Sequence, residues 1–344
     1  MAQVSGPAIV DVAEIEAARA RIGGRVNRTP VLTSGTAARW ATVALGGPQL
    51  ADGTLYLKAE HLQKTGSFKA RGMTNRMLTL PSEAGMAGAI TLSAGNAGQA
   101  YAWAGRQAGV PVTVVMPAGA VRTKVEACRG YGARIVLHGA HVGEAFAEME
   151  RLRDAEGLTL VHPFDDPAVI AGNGTLGLEL LDDVPEPDVV VVPVGGGGLI
   201  CGVAAAIKGR RPTCRIYGVE PERSNALSLA IERDEIVRIE PHSVADGLGA
   251  PFAGRWTLEM GRRLLAGIVL LDDATILAGL RFALERLKQV LEPAGAAALA
   301  AVLAGAVPIR DGERVAVVLS GGNVELGRLG DLVAGAGSLP GDGA

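Results

Sequence analysis

Two periods of apolar and polar positions alternate along this chain. From Val10 to Ile22 apolar residues recur at helical intervals, with Asp11 and Glu14 near the start, which predicts an N-terminal helix. Thr29-Pro30-Val31-Leu32 breaks it, residues Ala37 to Gly53 follow no period, and Thr54 to Glu60 alternates as a strand. Met73 to Leu80 predicts a short helix. Strand and helix then take turns. Strands are predicted over Ala89 to Leu92, Val112 to Met116 and Arg134 to Leu137, with helices over Gln99 to Ala108, Val125 to Tyr131 and Val142 to Ala155. A second series begins with the apolar strand Val189 to Val192, the helix Leu199 to Lys208 and the strand Arg215 to Val219. Helices over Asp273 to Glu285 and Pro293 to Leu303, a buried strand over Arg314 to Leu319 and a last helix complete it. This order predicts the α/β class, with two doubly wound, mainly parallel sheets and right-handed connections. Residues 1–56 with 162–334 are expected to form a large α/β domain and residues 57–161 a small one. A flexible glycine-rich tail is expected at 335–344.

Composition narrows the function. A chain of 344 residues has ample material for such cores, and a net charge of -3 offers no basic surface for nucleic acid or an anionic membrane. Hydrophobic residues make up 48% but aromatic ones only 3%, and the 48 glycines point to closely packed helices and tight turns. Cys128, Cys201 and Cys214 are scattered and lack metal spacing, which fits small buried hydrophobes in a reducing compartment. His61, His138, His141, His162 and His242 form no ligand or triad spacing. Met1 to Asp11 has neither a basic region nor an apolar run, and no later stretch is long and apolar enough for a membrane helix. A cytoplasmic protein acting on a small molecule, with no nucleic-acid or membrane partner, is therefore expected.

The candidate chemistry centres on Thr65-Gly66-Ser67-Phe68-Lys69-Ala70-Arg71-Gly72. A poorly solvated Lys69 would have a lowered pKa, and its free amine could join an aldehyde cofactor; the plain alternative is a solvated turn lysine. Three loops follow strands, where ligands bind in open parallel sheets. Gly195-Gly196-Gly197-Gly198 can close its backbone N–H groups around a phosphate, or be simply a flexible loop. It does not read as the G-x-G-x-x-G of a dinucleotide fold. Ser93-Ala94-Gly95-Asn96-Ala97-Gly98-Gln99 offers donors for a carboxylate and an amide at Asn96, which could equally cap a helix. Ser320-Gly321-Gly322-Asn323 places a hydroxyl after the last strand, or a turn and cap.

Taken in order with Lys58-Ala59-Glu60, Gln63, Ala171-Gly172-Asn173-Gly174-Thr175 and Gly218-Val219-Glu220-Pro221, these segments resemble the fold-type II pyridoxal phosphate enzymes. Within them the chain is similar to the threonine/serine dehydratase and serine racemase group, whose fold is tryptophan synthase β-like, over roughly Arg28 to Gly330. The resemblance implies pyridoxal 5'-phosphate as cofactor and Lys69 as the catalytic, Schiff-base lysine, beside Phe68. It further implies Asn96 as partner of the phenolic oxygen, Gly195 to Gly198 with Leu199 as the phosphate loop, and Ser320 as partner of the pyridine nitrogen. Ser93, Ala94, Gly95, Asn96 and Ala97 would bind the substrate. A neutral serine stabilises a pyridinium poorly, and the weaker electron sink suits elimination.

Finer features favour a dehydratase. Racemases of the group usually carry serine where Ala94 stands, and a methyl group cannot deliver a proton to the second face. His162-Pro163-Phe164-Asp165-Asp166 also resembles the dehydratases. The expected reaction converts L-threonine to 2-oxobutanoate, or L-serine to pyruvate, with release of ammonia. A serine or 3-hydroxyaspartate racemase, or a noncatalytic cofactor carrier, is the alternative. Ala70 lacks the acidic group expected after the lysine in β-replacement enzymes. Ala97, Asn173 and Val121 depart from the histidine, glutamine and proline common in the group. Glu220 matches one cation ligand of racemase-like members, but Ala226 stands at the other, so no metal is expected. Glu292 is placed near the ring or at a helix start. The resemblance implies a homodimer or homotetramer.

Overall fold

Asp11 starts the first helix by accepting from the Glu14 N–H, while the Glu14 carboxylate accepts in return from the Asp11 N–H. The structure, a computed structural model, describes residues 9–343; residues 1–8 of the expected large domain and Ala344 of the tail lie outside them. In chain order the first elements are α1 (Val12–Ile22), β1 (Val31–Ser34), α2 (Gly35–Ala44), β2 (Leu55–Ala59), α3 (Lys69–Leu78) and α4 (Ser82–Ala87). Next come β3 (Ala89–Leu92), α5 (Asn96–Ala108), β4 (Val112–Met116), α6 (Arg122–Gly130), β5 (Arg134–Leu137), α7 (Val142–Glu156) and β6 (Thr159–Leu160). The chain continues through α8 (Pro167–Asp183), β7 (Val189–Pro193), α9 (Gly198–Arg210), β8 (Arg215–Pro221), α10 (Ala226–Arg233) and α11 (Arg255–Leu264). It ends with β9 (Gly267–Leu271), α12 (Asp273–Phe282), α13 (Pro293–Leu303), β10 (Val315–Leu319) and α14 (Leu326–Ala334).

These strands form a six-stranded sheet in the order β1-β2-β10-β7-β8-β9 and a four-stranded sheet in the order β5-β4-β3-β6. Every pairing is parallel except that of β1 with β2. Successive side chains of β7 show why both faces are covered. Val189 and Val191 enter the core beneath α13, and Val190 and Val192 enter the core beneath α8 and α9. A strand buried on both faces reads as a continuous apolar run, as this one does.

The structure differs from expectation in several places. Helix α2 occupies part of the stretch with no evident period, because its contacts come from the small residues Ala37, Ala38 and Ala41 around Trp40. Helix α8 has no counterpart among the predicted elements; its residues from Val169 to Leu180 are buried on all sides, so no amphipathic period marks it. Strand β2 continues in the large sheet to Ala59, past the boundary expected after residue 56, because Lys58 and Ala59 still pair with β10. The tail folds back on the large domain, where Leu339 is buried in the main core and Asp342 accepts from Arg281.

One buried polar cluster ties β2 to α3 and α8. Arg71 of α3 and Lys58 of β2 are fully buried, as is Glu60, and Glu179 of α8 nearly so. Arg71 donates through Nε to Glu60 Oε2 at 2.8 Å and through Nη1 to Glu179 Oε1 at 2.7 Å. Lys58 Nζ donates to Glu179 Oε2 at 2.8 Å and to the Thr29 carbonyl at 2.7 Å. Thr29 Oγ1 donates to Glu60 in turn. Removing one member strands the opposite charge in the interior. Arg71→Ala should therefore lower unfolding stability by about 3–5 kcal/mol, read from the denaturant midpoint; an unchanged midpoint would show that the cluster is not structural.

Candidate active site

The loops after β3, β7 and β10 meet α3 around a cavity of about 380 Å³. Phe68, Lys69, Ser93 to Ala97, Gly195 to Leu199 and Ser320 all line it. The cofactor and substrate residues singled out in the sequence are thus brought to one place.

Lys69 is not in a free turn but is the first residue of α3. Its position is fixed from β10: the Phe68 N–H donates to the Ser320 carbonyl at 3.0 Å, and Ser67 pairs antiparallel with Gly321. Gly66 is required just before, since its φ is +73° and a side chain there would meet Asn323 Oδ1. Lys69 Nζ donates to the Pro163 carbonyl at 2.8 Å and stands 5.2 Å from the Phe68 ring centre. Burial disfavours the ammonium and brings its pKa down from the ordinary lysine value to about 8, with the Glu292 charge partly opposing.

Across the cavity, α9 makes its first backbone bond from the Cys201 N–H to the Gly197 carbonyl, so the N–H groups of Gly198, Leu199 and Ile200 lie outside the helical ladder. Gly197 has φ +90°, and a Cβ on Gly196 would come within 2.3 Å of the Phe164 ring. The loop is therefore a backbone cradle wedged in place, not a floppy segment. The segment His162 to Asp166 builds its surroundings. Pro163 receives Lys69, Phe164 backs the glycines, Asp165 accepts from the Trp256 and Thr257 N–H groups at the start of α11, and Asp166 caps α8. Partly buried His162 has its pKa lowered by desolvation and uses Nδ1 to accept from the Asp165 N–H, so it serves the turn.

Asn96 is not the helix cap; Gly95 holds that position in α5. The Asn96 amide nitrogen donates to Glu292 Oε1 at 2.6 Å, and its oxygen accepts from Asn323 Nδ2 at 2.8 Å. Asn323 Nδ2 also donates to the Thr65 carbonyl. Glu292, the residue preceding α13, is only 4% exposed, and burial raises its pKa to about 7. The Ser320 hydroxyl reaches only the Ala294 carbonyl, at 3.4 Å. The Ser67 hydroxyl is buried without a protein partner. At the rim Lys124 Nζ of α6 meets Asp246 Oδ2 at 2.7 Å, a pair that sequence reasoning missed because nothing in either local pattern marks it. Glu220 stands apart from the cavity and accepts from the Leu227 and Ser228 N–H groups at the start of α10.

The profile of the pyridoxal-phosphate dependent enzymes matches residues 26–321. The chain belongs to that family. It is 40% identical over 286 residues to the L-threonine ammonia-lyase of Thermotoga maritima, covering 83% of this chain and 71% of that one. A maize serine racemase superposes with a TM-score of 0.86 at 34% identity, covering 93% of this chain and 96% of that one. A threonine deaminase from T.th. gives 0.82 at 38% identity, covering 92% and 99%. Pyridoxal phosphate is accordingly the cofactor of this enzyme. The cavity's residues fit it: a poorly solvated amine for the aldehyde, side-chain-free N–H groups at a helix start for the phosphate, and the Ser320 hydroxyl and the Asn96 amide on its lining.

Only the free amine of Lys69 can attack the aldehyde. Cofactor uptake by the apoprotein should rise about tenfold per pH unit up to about pH 8 and then level, followed by stopped-flow absorbance. A flat profile between about pH 6 and 9 would contradict the assigned amine.

Proposed function

We propose that this enzyme is an ammonia-lyase that removes water from a β-hydroxy amino acid, L-threonine or L-serine, giving a 2-oxo acid and ammonia. The observation that carries the reading is the pairing, in one cavity, of the poorly solvated Lys69 amine with Ala94, where a second proton donor would be needed for racemisation. The resemblance of the chain to a threonine ammonia-lyase and to a threonine deaminase supports it.

In this reading Gly195 to Gly198 and Leu199 hold the cofactor phosphate, Asn96 donates to the phenolic oxygen and Ser320 partners the pyridine nitrogen. Donors of the Ser93 to Ala97 loop hold the substrate carboxylate; the α5 ladder starts only at the Gln99 N–H, leaving those of Asn96, Ala97 and Gly98 outside it. Pyridoxal phosphate supplies the electron sink that acidifies the α-C–H of a bound amino acid. Lys69 Nζ takes the α-proton. The electron pair left on the α-carbon forms the new double bond as the β-hydroxyl departs as water, with the proton that Lys69 had taken passed on to it. The released enamine tautomerises and hydrolyses, taking water back and freeing ammonia. Phe164, Leu199 and Phe68 wall the cavity with apolar surface beside the amine.

A serine racemase of the same fold is the second reading, favoured by the likeness to the maize enzyme. A homodimer or homotetramer and a cytoplasmic location belong to the proposal. The three cysteines are buried and unpaired, which fits a reducing compartment. Among the described residues, no helix is long and apolar enough to cross a membrane.

Purified, cofactor-loaded enzyme should form 2-oxo acid from L-threonine or L-serine, and Lys69→Ala should lower the rate at least about 10³-fold. Unchanged substrate across a panel of β-hydroxy amino acids would defeat the lyase reading. Ala94→Ser should raise D-enantiomer formation, measured by chiral chromatography; no change would remove Ala94 from the argument.

A further inference from the structure

Glu292 is the acidic group that the proposed reaction does not use. It is buried between the reactive cavity and a second, smaller one of about 30 Å³, room for about one or two waters. The smaller cavity is bounded by Lys124, Asp246, Asn323, Glu325 and Arg328. On the reactive side Glu292 Oε1 takes one proton of the Asn96 amide at 2.6 Å. The Asn96 oxygen is already taken by Asn323, whose amide is anchored on the Thr65 carbonyl. Both ends of Asn96 are thus committed, and a single N–H is left to point elsewhere. A carboxyl in this place has no arginine or lysine partner; Lys124 is engaged by Asp246, and Lys69 by Pro163.

We propose that Glu292 is a positioning residue for the cofactor, holding the Asn96 amide so that its remaining N–H meets the phenolic oxygen, and changing that donor's strength by exchanging its own proton with solvent through the smaller cavity. This rests on the cofactor placement given under Proposed function. When Glu292 is ionised, its charge draws on the Asn96 amide and changes the strength of the remaining N–H donor; when it is protonated, that pull weakens. The charged groups facing it come from every neighbouring element. Lys69 lies on α3, Lys124 on α6, Asp246 on the short turn Asp246–Leu248, and Glu325 and Arg328 at the start of α14. Lys124 and Lys69 favour the carboxylate, and Asp246 opposes it, beneath the larger effect of burial that raises its pKa to about 7.

The test is the visible absorbance of bound pyridoxal phosphate, without substrate, titrated between about pH 6 and 8.5. In the wild-type enzyme the ratio of the two cofactor bands should step with a midpoint near 7. Glu292→Gln keeps an accepting oxygen for Asn96 but cannot titrate, and its band ratio should lose the step. Asn96→Ala should lose it too, with Glu292 intact. A purely structural role for Glu292 would lower the unfolding temperature of Glu292→Gln and leave the step in place. A step that survives in either variant, or is absent from the wild type, overturns the proposal. If the wild-type protein develops no visible band with pyridoxal phosphate at all, the cofactor placement itself fails, and the inference with it.

Discussion

The position of the reactive amine depends on how firmly α3 is clamped. Lys69 opens that helix and Arg71 follows two residues later, so their side chains leave it in opposed directions. One runs into the cavity and the other into the buried cluster with Glu60, Glu179 and Lys58. Burial works against the Arg71 charge, but the two carboxylates more than offset it. Such a cluster gains little over an apolar core in net stability, yet it accepts only one geometry because each charge has a fixed partner. It ties β2, α3 and α8 into a single frame. The backbone bond from Phe68 to Ser320 then sets the lysine against the end of β10.

Much of this was legible in the sequence, because the loops that bear chemistry are punctuated by glycine and follow apolar strands. Lys69, Asn96, the glycines from 195 to 198 and Ser320 could all be named before any coordinates. What escaped had no local signature. Helix α8 is buried all round and shows no period, and α2 is built on alanines that favour no face strongly. The tail looked featureless because its anchors, Leu339 in the core and Asp342 on Arg281, are isolated residues with no period. The partners of Arg71 lie eleven and 108 residues away, and Glu292 lies 196 residues from Asn96, so no reading of neighbours could pair them. The Asn96 cap and the free lysine turn were the plain local alternatives. Tertiary contacts decided against both, since Gly95 takes the cap and α3 begins at the lysine itself.

The scarcity of aromatic residues also acquires a cause. Helices α8 and α9 approach so closely that a Cβ on Gly202 would sit 2.3 Å from the Ile170 carbonyl oxygen, and one on Gly174 would sit 2.9 Å from the Gly202 carbonyl oxygen. Helix α13, entirely buried, is built from alanine, glycine and a few aliphatic residues for the same reason. Cores of this kind gain their cohesion from close backbone approach and dense packing, not from large side chains. The three buried cysteines belong to that economy of volume; burial pushes the Cys128 thiol up to about 11, where it is inert as a nucleophile at neutral pH.

The strand order also has a consequence for the newly made chain. The four strands of the small sheet all lie between Ala89 and Leu160, so they can pair as soon as that stretch has emerged from the ribosome. The large sheet must wait. Its β2 lies beside β10, whose paired residues are synthesised roughly 260 positions later, and β10 is an interior strand without which β2 and β7 have no neighbour in common. Glu292, Ser320 and Asn323 arrive in that last portion as well. The cavity around Lys69 is therefore completed only with the closure of the fold.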